Sequence, residues 1–321
     1  MKDVVIAVND LSVDFYTSGG SISAVDKVSF DIKKNEIFAL VGESGCGKST
    51  TASALMKLIR EPGKITSGSI MYDSKDIVTM TEREMTSIRG KELSMIFQNP
   101  LDSLNPVHKV GKQIAEAVGL DKASKRDAWN QALKILKSVK ISDVEQRANS
   151  YPFEHSGGMR QRVMIGMMMS RSPKLLIADE PTTALDVTIQ AQILDLIKES
   201  RDKLGSSVLI ITHDFGIVAE IADRIGVMYA GNIVELGNVF TIFDNPTHPY
   251  TKLLMKALPT ITKNEGRLNT IPGSVPNLKR PPAGCRFAER CPFSMEICKI
   301  ERPEMREVEK GHEVACHLEV K

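Results

Sequence analysis

"GESGCGKST", residues 42–50, follows the apolar run "IFALV" (37–41) and precedes "TASALMKLI" (51–59), an order of strand-like, glycine-rich and helical patterns. The spacing GxxxxGKS in that setting is a phosphate-binding loop. Glycines at 42, 45 and 47 let the backbone curl until its N–H groups converge on phosphate oxygens, and the start of the following helix adds a favourable dipole. Lys48 is placed to neutralise the β and γ phosphates, and the Ser49 hydroxyl to ligate Mg²⁺. The residues expected to surround the phosphates are therefore Gly42, Ser44, Gly45, Cys46, Gly47, Lys48, Ser49 and Thr50. Cys46 fits as a small loop residue, although Lys48 nearby also gives a reason for a lowered thiol pKa and redox sensitivity.

Further along, "LLIADEP" (175–181) reads as a buried parallel strand that ends in two carboxylates. Open α/β sheets bind ligands at such strand ends, so Asp179 and Glu180 are expected to face the phosphates. Asp179 would join the Mg²⁺ shell, and Glu180 would orient and deprotonate the attacking water. A third strand, "SVLIIT" (207–212), leads to His213, which taken alone is a structural strand-end residue. "SMIFQNP" (94–100) carries Gln98 beyond a short apolar strand. "HSGGMRQRV" (155–163) starts a helix with Ser156 as N-cap, and Gly157 and Gly158 leave its first-turn N–H groups uncovered, as a second anion site needs.

Composition narrows the classes. The chain has 321 residues and 42% hydrophobic content, enough for one large domain and a small appendage. Lys and Arg (42) nearly balance Asp and Glu (40), so no net field marks a nucleic-acid binder. The longest apolar runs, such as "VMIGMMM" (163–169), are far below the roughly 18 to 20 residues of a membrane-spanning helix. The N-terminus alternates like a strand and lacks a signal-peptide pattern, so a cytoplasmic location is expected.

The ordered set "GESGCGKST", Gln98, "SGGMRQR", "LLIADEP", "ALD" (184–186) and His213 resembles the ATP-binding subunits of ABC transporters over about residues 4 to 260. The resemblance implies an α/β P-loop NTPase fold: a RecA-like parallel sheet with an antiparallel β subdomain, an α-helical signature subdomain at about 100–170, and a small Cys-rich C-terminal extension. The implied domains are 1–260 for the nucleotide-binding domain and 261–321 for the extension. It further implies a head-to-tail dimer in which Ser156, Gly157 and Gly158 contact the nucleotide held by the opposite subunit. Gln98 would sense Mg²⁺ and the attacking water, His213 would hold the γ-phosphate, Asp186 would link the two sites, and Phe15, with Tyr16 as fallback, would stack on adenine. Two residues depart from the pattern: His155 stands where the family usually has Leu, and Met159 stands where it usually has Gln, as in the peptide-importer branch.

After the core, "NPTHPYTKLLMKALP" (245–259) and "IPGSVPNLKRPPAGCRFAERCPF" (271–293) are rich in proline and are expected to be irregular. They resemble the C-terminal extension of ATPases from oligopeptide, dipeptide and nickel importers. That resemblance implies uptake of peptides or nickel through two membrane permease subunits, a homologous second ATPase subunit, an extracellular solute-binding protein, and a peripheral place on the cytoplasmic face of the membrane. A soluble ABC ATPase acting on DNA or ribosomes is the alternative, weakened by the single core and the absence of a strongly basic arm.

Four of the five cysteines, Cys285, Cys291, Cys298 and Cys316, fall in this extension with the spacing C-x5-C-x6-C-x17-C. In a reducing compartment clustered cysteines are metal ligands or free thiols rather than disulfides. Four thiolates match the four irons of a 4Fe–4S cubane, whereas zinc sites favour pairs separated by two to four residues. The resemblance to peptide-importer ATPases also favours the 4Fe–4S cluster, with Zn²⁺ as the rival. The expected role is structural, and the extension is expected to lie far from the P-loop.

Overall fold

The computed structural model describes residues 3–99, 103–119, 124–183, 185–257 and 271–319. The chain forms two compact units: Met1–Val5, Ile32–Ile37 and Thr81–Ile211 make the first, and Ile6–Asp31, Phe38–Met80 and Thr212–Lys321 the second.

The second unit takes most of the long strands β1 (Val4–Thr17) and β2 (Gly20–Lys33) and of β3 (Ile37–Val41), followed by α1 (Lys48–Leu55), β4 (Gly63–Tyr72) and the short β5 (Lys75–Asp76). Alternation drives the first sheet: Ile6, Val8, Leu11 and Val13 of β1 point inward and are buried, as are Val25, Val28 and Phe30 of β2. The strand order is β2-β1-β4-β5, and β1 and β4 run antiparallel with Val8 opposite Ile70. In β3 all five residues are buried, the pattern of a strand covered on both faces.

The first unit contains α2 (Glu82–Ile88), β6 (Leu93–Ile96), α3 (Val110–Gly119), α4 (Lys125–Ser138), α5 (Val144–Ala148), α6 (Gly157–Met169), β7 (Leu175–Asp179), α7 (Val187–Leu204) and β8 (Ser207–Thr212). Strands β6, β7 and β8 form a parallel ladder with Leu93 beside Leu175 and Leu175 beside Ser207. The helices α3 to α6 make the expected helical subdomain, closed around Ile114, Ala132, Leu136, Val163 and Ile165, all fully buried. Thr81 and Glu84 form a capping box on α2, and Asp186 caps α7 by accepting from Ile189 N–H at 2.9 Å.

The chain then returns to the second unit with α8 (Phe215–Ile221), β9 (Arg224–Tyr229), β10 (Asn232–Asn238), α9 (Val239–Asp244), α10 (Pro249–Ala257), α11 (Glu296–Ile300), β11 (Arg306–Glu309) and β12 (His312–Val314). Strand β3 runs parallel to β9, with Val41 beside Val227. β9 and β10 form a hairpin whose turn residues Ala230 and Gly231 both have positive φ. The proline-rich stretch expected to be irregular instead contains α10. Pro249 lies at its first turn, where the missing N–H costs nothing, and Tyr250 and Thr251 are fully buried. β12 pairs with β10, Glu235 opposite Val314, so the extension adds a hairpin to this sheet. The expected boundary at 260/261 lies outside the described residues.

Glu235 joins these pieces. It is fully buried and accepts from Thr247 N–H (2.6 Å), His248 N–H (3.0 Å) and His312 Nε2 (2.8 Å). His248 in turn accepts the Tyr250 N–H on Nδ1 at 3.0 Å, which requires that nitrogen to be unprotonated.

Burial pushes the His248 pKa from 6.5 down to about 3. Between those values the unfolded chain holds a proton that the folded chain lacks, so stability falls as pH falls through about 6.5. Urea midpoints measured at about pH 7.5 and about pH 5.5 should differ, and His248→Asn, which keeps an acceptor but does not titrate, should reduce the difference. An equal acid loss in both proteins would exclude His248 as a source.

Candidate functional site: a phosphate loop and a carboxylate strand end

In the second unit the loop between β3 and α1 has the geometry expected of it. Gly42 (φ +154°) and Gly47 (φ +105°) both take conformations closed to other residues, and a Cβ would lie 2.0 Å from Met228 O at Gly42 and 2.4 Å from Ala24 O at Gly47. Lys48 is buried and donates through Nζ to the carbonyls of Gly42 (2.8 Å) and Glu43 (3.0 Å). Ser44, Gly45 and Ser49 are exposed and Thr50 is half-buried. Cys46 is buried, and its desolvation outweighs Lys48 and raises the thiol pKa, opposite to the lowering expected from Lys48 nearby. His213 follows β8 and is exposed. Phe15 is half-buried against Gly63, while Tyr16 is 49% exposed.

In the first unit, Asp179 ends β7 and is buried. Glu180 is the next residue and has φ +45°, a costly backbone for a non-glycine residue and one often found at functional sites. Its N–H donates to Ile211 O at 2.9 Å. One carboxylate oxygen, Oε2, accepts from both Gln98 Nε2 (3.1 Å) and Thr183 Oγ1 (2.9 Å). The structure therefore brings together Gln98 and Glu180, as the sequence suggested, and adds Thr183. Ser156 caps α6 by accepting from Met159 N–H at 3.3 Å, and Gly157 and Gly158 open the helix. Asp186 uses its carboxylate as the cap of α7, a role its spacing alone did not reveal, and Ala184 lies outside the described residues.

The extension does not lie far from the P-loop. Arg290 forks onto the Glu43 carboxylate, Nη1 to Oε2 at 2.7 Å and Nη2 to Oε1 at 3.0 Å, and the Tyr250 hydroxyl accepts the Glu43 N–H at 3.0 Å. Tyr229 packs between these groups, with its ring centroid 4.6 Å from that of Tyr250 and 5.1 Å from that of Phe287. Nothing in the local sequence marked Arg290; for Tyr250 the one signal is Pro249, a good first residue of a helix.

Cys285, Cys291, Cys298 and Cys316 line one pocket together with His248 and Phe287. Burial raises the pKa of Cys285 to about 11 and also raises those of Cys291 and Cys316. The free space there is about 10 Å³, close to one water. Among the described residues no three His, Cys, Asp or Glu side chains are grouped as a site for a single metal ion. The four cysteines expected to hold a cluster thus share this pocket without being grouped as a site for a single ion.

Comparison with known proteins agrees with this geometry. A family model described as "ABC transporter" matches residues 25–183, and one described as "Oligopeptide/dipeptide transporter, C-terminal region" matches 234–298. The oligopeptide transport ATP-binding protein OppD of Bacillus subtilis is 50% identical, over 98% of this chain and 88% of that protein. The dipeptide transport ATP-binding protein DppD of the same organism and the probable peptide ABC transporter ATP-binding protein y4tR of Sinorhizobium fredii are each 48% identical, over 98% of this chain and 95% of theirs. Among solved structures, the ATP-binding cassette MJ0796, dimeric with ADP and Pi, superposes with a TM-score of 0.66 at 25% identity, over 73% of this chain and 98% of that one. The chain belongs to the ATP-binding proteins of ABC transporters. It is an ATPase with the P-loop fold of that family.

His155, one of the two departures from the family pattern, is 3% exposed; its Nε2 meets Ser150 Oγ at 2.6 Å and its Nδ1 has no partner. Desolvation lowers its pKa, so burial favours the neutral ring and leaves one ring nitrogen unsatisfied. Ser150 keeps a second bond, to Arg147 O at 2.9 Å. His155→Leu should therefore raise stability by about 1 kcal/mol in urea unfolding and retain ATPase activity. A large loss of activity would give His155 a specific role.

Proposed function

We propose that this ATPase drives the uptake of di- or oligopeptides through two separate membrane permease subunits. It works on the cytoplasmic face of the membrane, paired head to tail with a homologous ATPase subunit and served indirectly by an extracellular solute-binding protein. Support comes from near-full-length identity to proteins named for peptide, oligopeptide and dipeptide transport, and from the match of the C-terminal region. The similar cassette MJ0796 is dimeric, and no helix among the described residues is long and apolar enough to cross a membrane.

The observation that carries the catalytic reading is the carboxylate of Glu180, held by two donors on one oxygen. A carboxylate with its plane fixed can accept the proton of an attacking water as the bond to the γ-phosphate forms. Gln98 holds it from one side and orients the water; His213 contacts the γ-phosphate. The P-loop residues Gly42, Ser44, Gly45, Cys46, Gly47, Lys48, Ser49 and Thr50 surround the phosphates, with Lys48 leaving its loop carbonyls for phosphate oxygens. Phe15 or the more exposed Tyr16 supports adenine. Ser156, Gly157 and Gly158 present the first turn of α6 to the nucleotide of the paired subunit, and Asp186 links the two sites. Mg²⁺, when bound, offsets phosphate charge; Ser49, Gln98 and Asp179 would hold it.

In the extension, Cys285, Cys291, Cys298 and Cys316 would hold a 4Fe–4S cluster with a structural role. The donor chemistry supports this: four thiols share one pocket, and the burial that raises the pKa of three of them leaves thiolates in need of a compensating metal charge.

Glu180→Gln should keep ATP binding, lose nearly all hydrolysis and trap an ATP-bound dimer; wild-type turnover would exclude Glu180 as the base. Reconstitution with the permeases and a panel of peptides and nickel tests the cargo, and nickel uptake without peptide uptake would overturn the peptide reading. Protein purified without oxygen should be brown and contain about four irons and four sulfides per chain. Colourless protein with stoichiometric zinc would sink the cluster.

A further inference from the structure

We infer that Arg290 is a positioning residue of the ATP site, so that the cysteine-bearing extension sets how tightly the phosphate loop binds nucleotide. The inference does not rest on what the cysteine pocket holds.

Glu43 is the second residue of the loop, and it is held at three points. Arg290 grips its carboxylate, Tyr250 accepts its N–H, and Lys48 donates to its carbonyl. Only the last of these contacts must break for Lys48 to reach a phosphate. The other two come from outside the loop and do not use the groups that Lys48 must release. Arg290 itself has no freedom left to lose. Its guanidinium makes five hydrogen bonds: the two to Glu43, one to the Tyr229 hydroxyl (3.3 Å), and one each to the carbonyls of Pro272 (2.9 Å) and Ile271 (3.3 Å). It also lies over the Tyr229 ring, 5.7 Å from the centroid. The side chains of Arg290 and Glu43 are 6% and 26% exposed, so this pair is screened far less than a surface ion pair.

Two effects of the fork have the same sign. A loop already fixed in its curled form loses less conformational freedom on binding, which favours the bound state. A carboxylate in a loop that must receive a triphosphate repels the ligand, and Arg290 cancels that charge where it stands. Arg290 is joined to the cysteines through a short turn: Ala288 N–H donates to Cys285 O (3.0 Å), Arg290 N–H to Phe287 O (3.0 Å), and Cys291 follows directly. Order in the cysteine loop is therefore order in the guanidinium.

The affinity of the purified full chain for a non-hydrolysable ATP analogue, measured by calorimetry, tests this. Arg290→Gln should weaken binding at least about 5-fold, the low end of usual coupling between sites. Arg290→Lys, which keeps charge without the fork, should lose less. Adding Glu43→Gln to Arg290→Gln should recover much of the affinity, because the uncompensated carboxylate is gone; a merely structural Arg290 would show no such rescue. Binding within about twofold of wild type for Arg290→Gln, or no rescue in the double variant, overturns the inference. Should Arg290→Gln fail to fold, the wild-type protein still decides. Coupling is reciprocal, so the analogue should slow hydrogen exchange at amides 287–291, and unchanged exchange there refutes the proposal.

Discussion

A loop that wraps a triphosphate must aim its N–H groups at the ligand, and its carbonyls must then find partners elsewhere. This constraint organises the second unit. The Gly42 and Glu43 carbonyls take the Lys48 ammonium, and the Cys46 carbonyl takes the Gly231 N–H at 2.9 Å from the β9–β10 turn. Gly47 O accepts from the Thr51 hydroxyl at 3.0 Å. Neighbouring backbone approaches so closely that Gly42 and Gly47 cannot carry a side chain. The loop is shaped by what packs behind it as much as by its own glycines.

Part of that backing comes from the extension, which has few large apolar residues to bury and attaches by charge instead. Arg286 reaches Asp26 at 2.5 Å, Arg302 reaches the same carboxylate oxygen at 2.7 Å, and Arg290 takes Glu43. Arg286 and Arg290 are at most 9% exposed. Largely buried pairs of this kind add little net stability over an apolar contact, because desolvation offsets attraction, yet removing one partner is costly. Such contacts define a single seating for the extension. Glu235 acts likewise, holding the start of α10 and His312 of β12 with one buried carboxylate.

What could be read from the sequence was whatever depends on local spacing. The P-loop, the strands at 37–41, 175–179 and 207–212, and the helix starting after Ser156 lie where the motifs and apolar runs put them. Their signals are short-range: glycine spacing, an N-cap serine, a run of aliphatics bounded by polar residues. The approach of Arg290 to Glu43 spans 247 residues of sequence, and neither residue departs from an ordinary surface pattern. The proline-rich stretch misled for a physical reason, since Pro249 reads as a breaker but sits where a helix tolerates it. Cys46 misled because adjacency to Lys48 is visible in sequence, whereas desolvation is not.

That same contrast separates the two kinds of thiol. Cys46 stands alone, and burial raises its thiol pKa although Lys48 Nζ lies at 3.7 Å. Cys285, Cys291 and Cys316 are raised by burial as well, with the neighbouring cysteines adding to the shift in each case. Thiols that mutually disfavour ionisation in one pocket gain most from a bound cation, because one positive centre relieves several costs together. The pocket sits beside Phe287, whose ring packs against Tyr229 and Tyr250, the two hydroxyl-bearing rings that reach Arg290 and Glu43. The cysteine pocket is thus connected to the residues that hold the phosphate loop through rings already in contact.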